Sequence, residues 1–285
     1  MLGLLLTAGL ATGAVYALIG VSYNLMYNTS RVISFTSGTF GMLGAVFGAF
    51  FIGQAGLPVV VALAGALLIG AAAGLLTEFI AVRPVLSRID THMYVLSTLA
   101  LSLIIEEAVG LWWGTEPRPF PRLFEGGNGW VDQKYWLPVV TLAVVVGLLA
   151  LLNNRTLTGR AFLAISQDPY AARALGLPHT SIRVGVYMLA GVVGALAGFM
   201  AGQLTFAFFS IGVAFAFSGF VAIAIGGLGN NLGAVVGGLA LGVVEQLANY
   251  FLGGSYRGTA ALLTLVVALL ILPNGIFGHA EPRRV

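Results

Sequence analysis

Apolar residues fill this chain in long runs, and polar residues fall in the short gaps between them. Runs long enough to cross a bilayer cover roughly 2–27, 32–53, 57–82, 92–113, 136–153, 182–204, 213–229, 232–252 and 257–272. About 20 consecutive apolar residues suffice to span a hydrocarbon core of about 30 Å. The pattern predicts an all-α, polytopic integral membrane bundle of about 8–10 transmembrane helices, in a single transmembrane domain over 1–285. Several runs are short or interrupted by Gly, and half-helices are tolerated where they face protein or a water-filled cavity. The first run, Leu2 to Met26, lacks a basic leader and exceeds the apolar core of a signal peptide, so it is expected to be a retained span.

Two gaps are longer than turns. The first, 114–135, holds Pro117, Pro119, Pro121 and Gly126-Gly127 and cannot be one long helix. Trp112, Trp113, Trp130 and Trp136 bracket it, which places it at the lipid–water boundary. The second, 154–181, is an arginine-rich polar island. Thr158 is the expected N-cap of a short helix to Gln167. Asp168 is the expected cap of a second, with Pro169 at its first position, where a missing N–H costs nothing. Gly176 suits the position just past that helix, and Pro178 blocks continuation. Phe162 and Ile165 form an apolar stripe on the first helix, and Ala171, Ala174 and Leu175 form one on the second. Two physical readings fit: a pair of short helices that docks in a partner's groove, or an amphipathic loop lying on anionic lipid.

Composition agrees with the pattern. Hydrophobic residues make up 59% and charged residues 8%, against about 25% charged in soluble domains. The 40 glycines suit helices that approach closely in lipid. The absence of cysteine removes disulfides, thiol chemistry and Cys metal sites. The net charge of +3 forms no basic patch for nucleic acid. It bears instead on orientation. Nine spans place Arg31, Arg83, Arg88, Arg155, Arg160, Arg173, Arg183, Arg283 and Arg284 on one side, expected to be cytoplasmic along with the C-terminus and the island.

The residues of the island now gain a context. Thr158-Gly159-Arg160-Ala161-Phe162 through Asp168-Pro169-Tyr170-Ala171-Ala172-Arg173-Ala174-Leu175-Gly176 resembles the cytoplasmic coupling loop of the branched-chain amino acid ABC importer permeases. Gly13 to Gly20 resembles that family's first span, and Glu78 to Val85 its Glu…Arg-Pro turn. Ala224 to Gly238 resembles its Gly-rich hairpin, and Leu272 to Gly278 its ending. The length is similar to the shorter of the family's two permease subunits. The resemblance implies two ATP-binding subunits docking on Gly159, Arg160, Phe162, Asp168, Pro169, Ala171, Ala172, Leu175 and Gly176. It implies a second permease subunit, identical or homologous, and an extracytoplasmic solute-binding protein, all in or at a bacterial inner membrane. ATP and Mg would be held by the ATPase partners and no cofactor by this chain.

Ser34-Phe35-Thr36-Ser37-Gly38-Thr39 puts four hydroxyls into an apolar run. Hydroxyls there either line a polar path or bond their own helix's carbonyls. The family's pattern here is Asn-Phe-Ala-His/Gln-Gly-Glu, and Ser34, Ser37 and Thr39 replace its Asn, His/Gln and Glu. That replacement fits a different amino acid, an amide or another small polar solute. Glu106, Glu107 and Glu245 fall within predicted spans, where an ionisable group marks function or an interhelical bond. Glu245 and Asn249 share a face one turn apart, and join Ser34, Phe35, Thr36, Ser37 and Thr39 as the expected translocation path. Glu78 is expected to pair with Arg83 or Arg88.

His92 and His179 lack ligand-spaced partners, so no metal site is expected. Gly226 to Asn231 lacks the Gly-Lys-Ser/Thr end of a phosphate loop and reads as a tight turn in which Gly and Asn supply positive φ. No nucleophile–base arrangement points to an enzyme. The alternatives to a permease subunit are an ion-coupled secondary transporter, for which Glu245 is the one good carboxylate, and a structural subunit that moves nothing.

Overall fold

A computed structural model describes residues 2–86, 93–121, 123 and 133–278. Arg88, His92, Gly126-Gly127, Trp130, Arg283 and Arg284, named above, lie outside the described residues. The membrane helices run α1 (Leu2–Ser30), α2 (Thr36–Gly53), α3 (Val59–Leu76), α4 (Met93–Trp113) and α5 (Gln133–Arg155). Two short helices follow, α6 (Leu157–Gln167) and α7 (Pro169–Ala174). Then come α8 (His179–Ala201), α9 (Ile211–Gly226), α10 (Asn231–Leu252) and α11 (Arg257–Ile271). A π-helical turn, Thr77–Val82, prolongs α3.

Among the described residues seven helices are long and apolar enough to cross a membrane, and α9 and the last helix are shorter apolar ones. The all-α polytopic bundle of the sequence reading is therefore the observed architecture. Boundaries moved where tertiary partners decide them. The sequence reading began this span at 182 and counted Arg183 among the arginines of its cytoplasmic side, but α8 begins right after Pro178 and carries Arg183 buried inside. The span expected from 136 starts at Gln133, and Pro138 sits in the second turn of α5.

Helix α1 is the core of the bundle and packs on α10, α8, α5 and α9. Most of it is buried from Ala11 to Ser30. Small residues set the spacing. A Cβ on Gly198 would collide with the Gly41 carbonyl, and one on Gly191 with that of Gly70. Such backbone-to-backbone contact is the packing that replaces the hydrophobic effect in lipid. At one end of the bundle, Asn24 and Asn28 of α1 clasp the α9–α10 turn: Asn24 donates to the Asn230 carbonyl at 2.8 Å and accepts from the Gly229 N–H at 2.9 Å. In that turn Gly227 and Gly229 have positive φ, whereas Asn230 is extended and caps α10 through the Leu232 and Gly233 amides. The segment after α11 returns to the same place, where Ile276 and Phe277 donate to the carbonyls of Ile225 and Gly226. At the other end, residues 114–121 meet the α8–α9 connection, with Arg118 and Ala207 exchanging backbone hydrogen bonds.

Candidate functional site: island, ion pair and cavity

The island is two capped helices on a buried footing. Thr156, not Thr158, caps α6: its backbone is extended and its hydroxyl accepts from the Gly159 N–H at 3.0 Å. Both threonines suit the role, and the earlier one wins because α5 ends at Arg155 and leaves Thr156 the first residue outside a helix. Asp168 caps α7 by accepting from the Tyr170 and Ala171 amides at 2.9 and 3.0 Å, and Pro169 opens the helix. Gly176 then takes φ +76°. Its N–H reaches the Arg173 carbonyl and the Leu177 N–H reaches the Ala172 carbonyl, the two bonds of a Schellman stop.

The expected docking residues divide into two sets. Gly159, Phe162, Ile165 and Ala172 are buried and face the bundle. A Cβ on Gly159 would strike the Leu152 carbonyl of α5, so glycine there sets the α5–α6 approach. Arg160, Asp168, Ala171, Leu175 and Gly176 are exposed and Pro169 is half-buried. Leu157, Tyr170 and Leu175 are 84, 82 and 79% exposed, the most exposed large apolar side chains of the island. Tyr170 and Leu157 had no role in the sequence reading; their signal was apolar bulk beside a cap. Arg31, between α1 and α2, ties the island down by donating to the Ser166 carbonyl at 2.7 Å.

Beneath the island α8 enters the bundle. Arg183 donates through Nε and Nη2 to Glu78 Oε1 at 2.9 and 2.6 Å, and both side chains are buried. Of the two expected partners, Arg83 lies instead over the Phe79 ring, 5.3 Å from its centroid, and Arg88 falls outside the described residues; Glu78, in the π-turn, meets α8. One turn further along α8, the Tyr187 and Ser30 hydroxyls are 2.8 Å apart.

The expected path residues separate in space. Ser34, Thr36, Ser37 and Thr39 are fully or almost fully buried. Ser34 and Thr36 bond each other at 2.8 Å, Ser37 donates to the Ser34 carbonyl at 3.4 Å, and the Thr39 hydroxyl has no partner. Phe35 caps the segment by packing against Tyr23 and Phe220, with ring centroids 6.2 and 6.0 Å away. Glu245 lies elsewhere, on a cavity of about 320 Å³ bounded by α1, α9, α10, α11 and the connection after α8. Tyr16 donates to Glu245 Oε2 at 2.7 Å. Thr12, Thr205 and Ser218 add hydroxyls, and Leu204, Phe208, Ile211 and Phe215 add apolar wall. Asn249 is half-buried one turn along α10 and is not on the cavity's described lining. None of Ser34–Thr39 is on the cavity's described lining, although Gly38 and Gly41 of α2 pack on Gly212, Phe215 and Ala216 of α9.

The other carboxylates have separate settings. Glu106 is buried against Gly212 near the start of α9, where the helix dipole favours an acid. Glu107 is exposed. Among the described residues no three His, Asp or Glu side chains gather as metal ligands.

Known proteins match this arrangement over almost its whole length. The high-affinity branched-chain amino acid permease protein LivH of Salmonella typhimurium is 28% identical, with 97% of this chain and 96% of LivH covered. BraD of Pseudomonas aeruginosa, described in the same terms, is 28% identical over 98% and 97%. A solved chain of PsaBC from Streptococcus pneumoniae in complex with Fab shares the fold, with a TM-score of 0.53 at 14% identity over 95% of this chain and 92% of that one. The family of branched-chain amino acid transport system permease components matches residues 5–272, and the chain belongs to that family.

Proposed function

We propose that this chain is the permease subunit of an ATP-driven importer for an amino acid with a small apolar side chain, driven through its island. Two separate ATPase subunits dock on the exposed edge of α6 and α7, where Leu157, Tyr170, Ala171 and Leu175 form the contact and Arg160 flanks it. A second permease subunit completes the path, and an extracytoplasmic binding protein delivers the solute at the opposite end, near Arg118. The island end faces the cytoplasm and the chain sits in a bacterial inner membrane, as the arginine bias favours.

The observation that carries this reading is the island's two-sided build. One face is locked to the bundle through Gly159, Phe162 and Arg31, while the other presents large apolar groups on capped helices. A push on α7 passes through Pro178 into α8, whose second turn holds Arg183 against Glu78 on α3. Solute enters at the Glu245 cavity. Ser34–Thr39, whose Phe35 packs on Tyr23 and Phe220, forms the inner part of the path.

Replacing Tyr170 by Asp, together with Leu175→Arg, tests the docking. ATPase subunits should no longer copurify with a permease that expresses and elutes as a folded bundle. Retention of the ATPases at wild-type stoichiometry would move the docking surface elsewhere.

A further inference from the structure

Positive φ falls on glycine throughout the described residues, with one exception. Arg31, the residue after α1, has φ +56°. A side chain there strains the backbone, and glycine would not. Backbone stability alone therefore favours glycine at this position, and the arginine needs another reason. Its side chain supplies one. Nη2 donates to the Ser166 carbonyl at 2.7 Å, in the last turn of α6. Carbonyls in the last turn of a helix have no amide within that helix. The amide four residues on from Ser166 is that of Tyr170, and it bonds Asp168 Oδ1 instead. The cap of α7 thus leaves the Ser166 carbonyl open, and Arg31 fills the place with a cation at the negative end of α6.

We propose that Arg31 is a positioning residue that passes movement of the α6–α7 elbow to the α1–α2 connection, and through it to Ser34–Thr39. Two features fit it for this. Its guanidinium is backed by Tyr27, 5.6 Å from the ring centroid, and a Cβ on Gly229 of the α9–α10 turn would meet the same ring. On its other side the chain turns straight into the bundle, where Val32 and Ser34 are fully buried. An exposed charge-assisted bond adds little to stability, so the value of this one lies in what it connects. The route is separate from the one through Pro178 and α8, and its part in transport rests on the importer reading.

Arg31→Gly removes the side chain and relieves the backbone at once. In the complete complex, with partner permease, ATPases and binding protein, this variant should melt no lower than the parent and keep its ATPases. Radiolabelled L-leucine taken up per ATP hydrolysed should nevertheless fall about fivefold or more. Arg31→Lys, which keeps a cationic donor, should recover part of that loss. A parental ratio in Arg31→Gly, equal losses in the Gly and Lys variants, or a loss that comes with a lower midpoint or released ATPases would overturn the assignment. Amide exchange of the full permease chain in detergent separates this claim from the importer reading. Asp168→Ala frees the Tyr170 amide to compete for the Ser166 carbonyl. Exchange over 32–36 should then quicken about threefold or more, and the same substitution made in Arg31→Gly should leave 32–36 unchanged. Quickening of equal size in both backgrounds, or in neither, would overturn the link. If the complete complex with the parent chain shows no ATP-driven uptake, the importer reading fails, and the exchange result still decides the role of Arg31.

Discussion

Glu78 and Arg183 show how much of this bundle's specificity sits in single contacts. They are 105 residues apart, buried, and joined by two hydrogen bonds to one oxygen. Removing one member of a buried pair leaves an uncompensated charge, which costs about 3–5 kcal/mol. Glu78→Ala or Arg183→Met should therefore lower the thermal midpoint of the detergent-solubilised protein sharply. Glu78→Gln combined with Arg183→Met should cost less than either single change. Singles that unfold at the parent's temperature would show that the pair is not holding α3 to α8. The pairing was not legible in the sequence, because Arg83 was nearer along the chain and nothing local announces the π-turn that aims Glu78 away from it. Glu245 was legible as an unusual residue, but its cavity was not. That cavity is assembled from five separate stretches of chain.

At the scale of elements, the island's design was largely readable because caps are local. Asp168, Pro169 and Gly176 each act within a few residues and occupy the expected positions. What the sequence left open was the direction of the apolar stripe. Phe162 and Ile165 face the bundle, because a stripe shows only that some apolar surface is near. The exposed side falls instead to Leu157, Tyr170 and Leu175. Loss of the Asp168 cap costs about 1 kcal/mol, and a Val at Gly176 adds left-handed strain of about 1–2 kcal/mol. In Asp168→Ala and Gly176→Val, amide hydrogen exchange over 169–177 should quicken about fivefold or more while α1 and α8 stay protected. Unchanged exchange in α7 would mean that the caps do not hold the island's shape.

At the scale of the whole molecule, the fold followed from apolar run length and the small-residue contacts that the glycines permit. The span expected over 213–229 ends at Gly226 in α9, because its apolar run continues into the Gly226–Gly229 turn, where backbone geometry rather than hydropathy ends the helix. The path was the least legible part. Ser34–Thr39 reads as a polar interruption, yet most of its hydroxyls are satisfied locally and none of its residues is on the described lining of the Glu245 cavity. In the proposed mechanism, force enters at the island and the solute moves through the bundle at the expense of ATP. The direct measurement is radiolabelled L-leucine uptake into proteoliposomes holding this chain with its partner permease, ATPases and binding protein. Uptake should require ATP on the island side and the binding protein on the other, and should fall at least about tenfold, equivalent to about 1.4 kcal/mol, in Tyr170→Asp with Leu175→Arg. Uptake by this chain alone, driven by an ion gradient without ATP and indifferent to those substitutions, would contradict it.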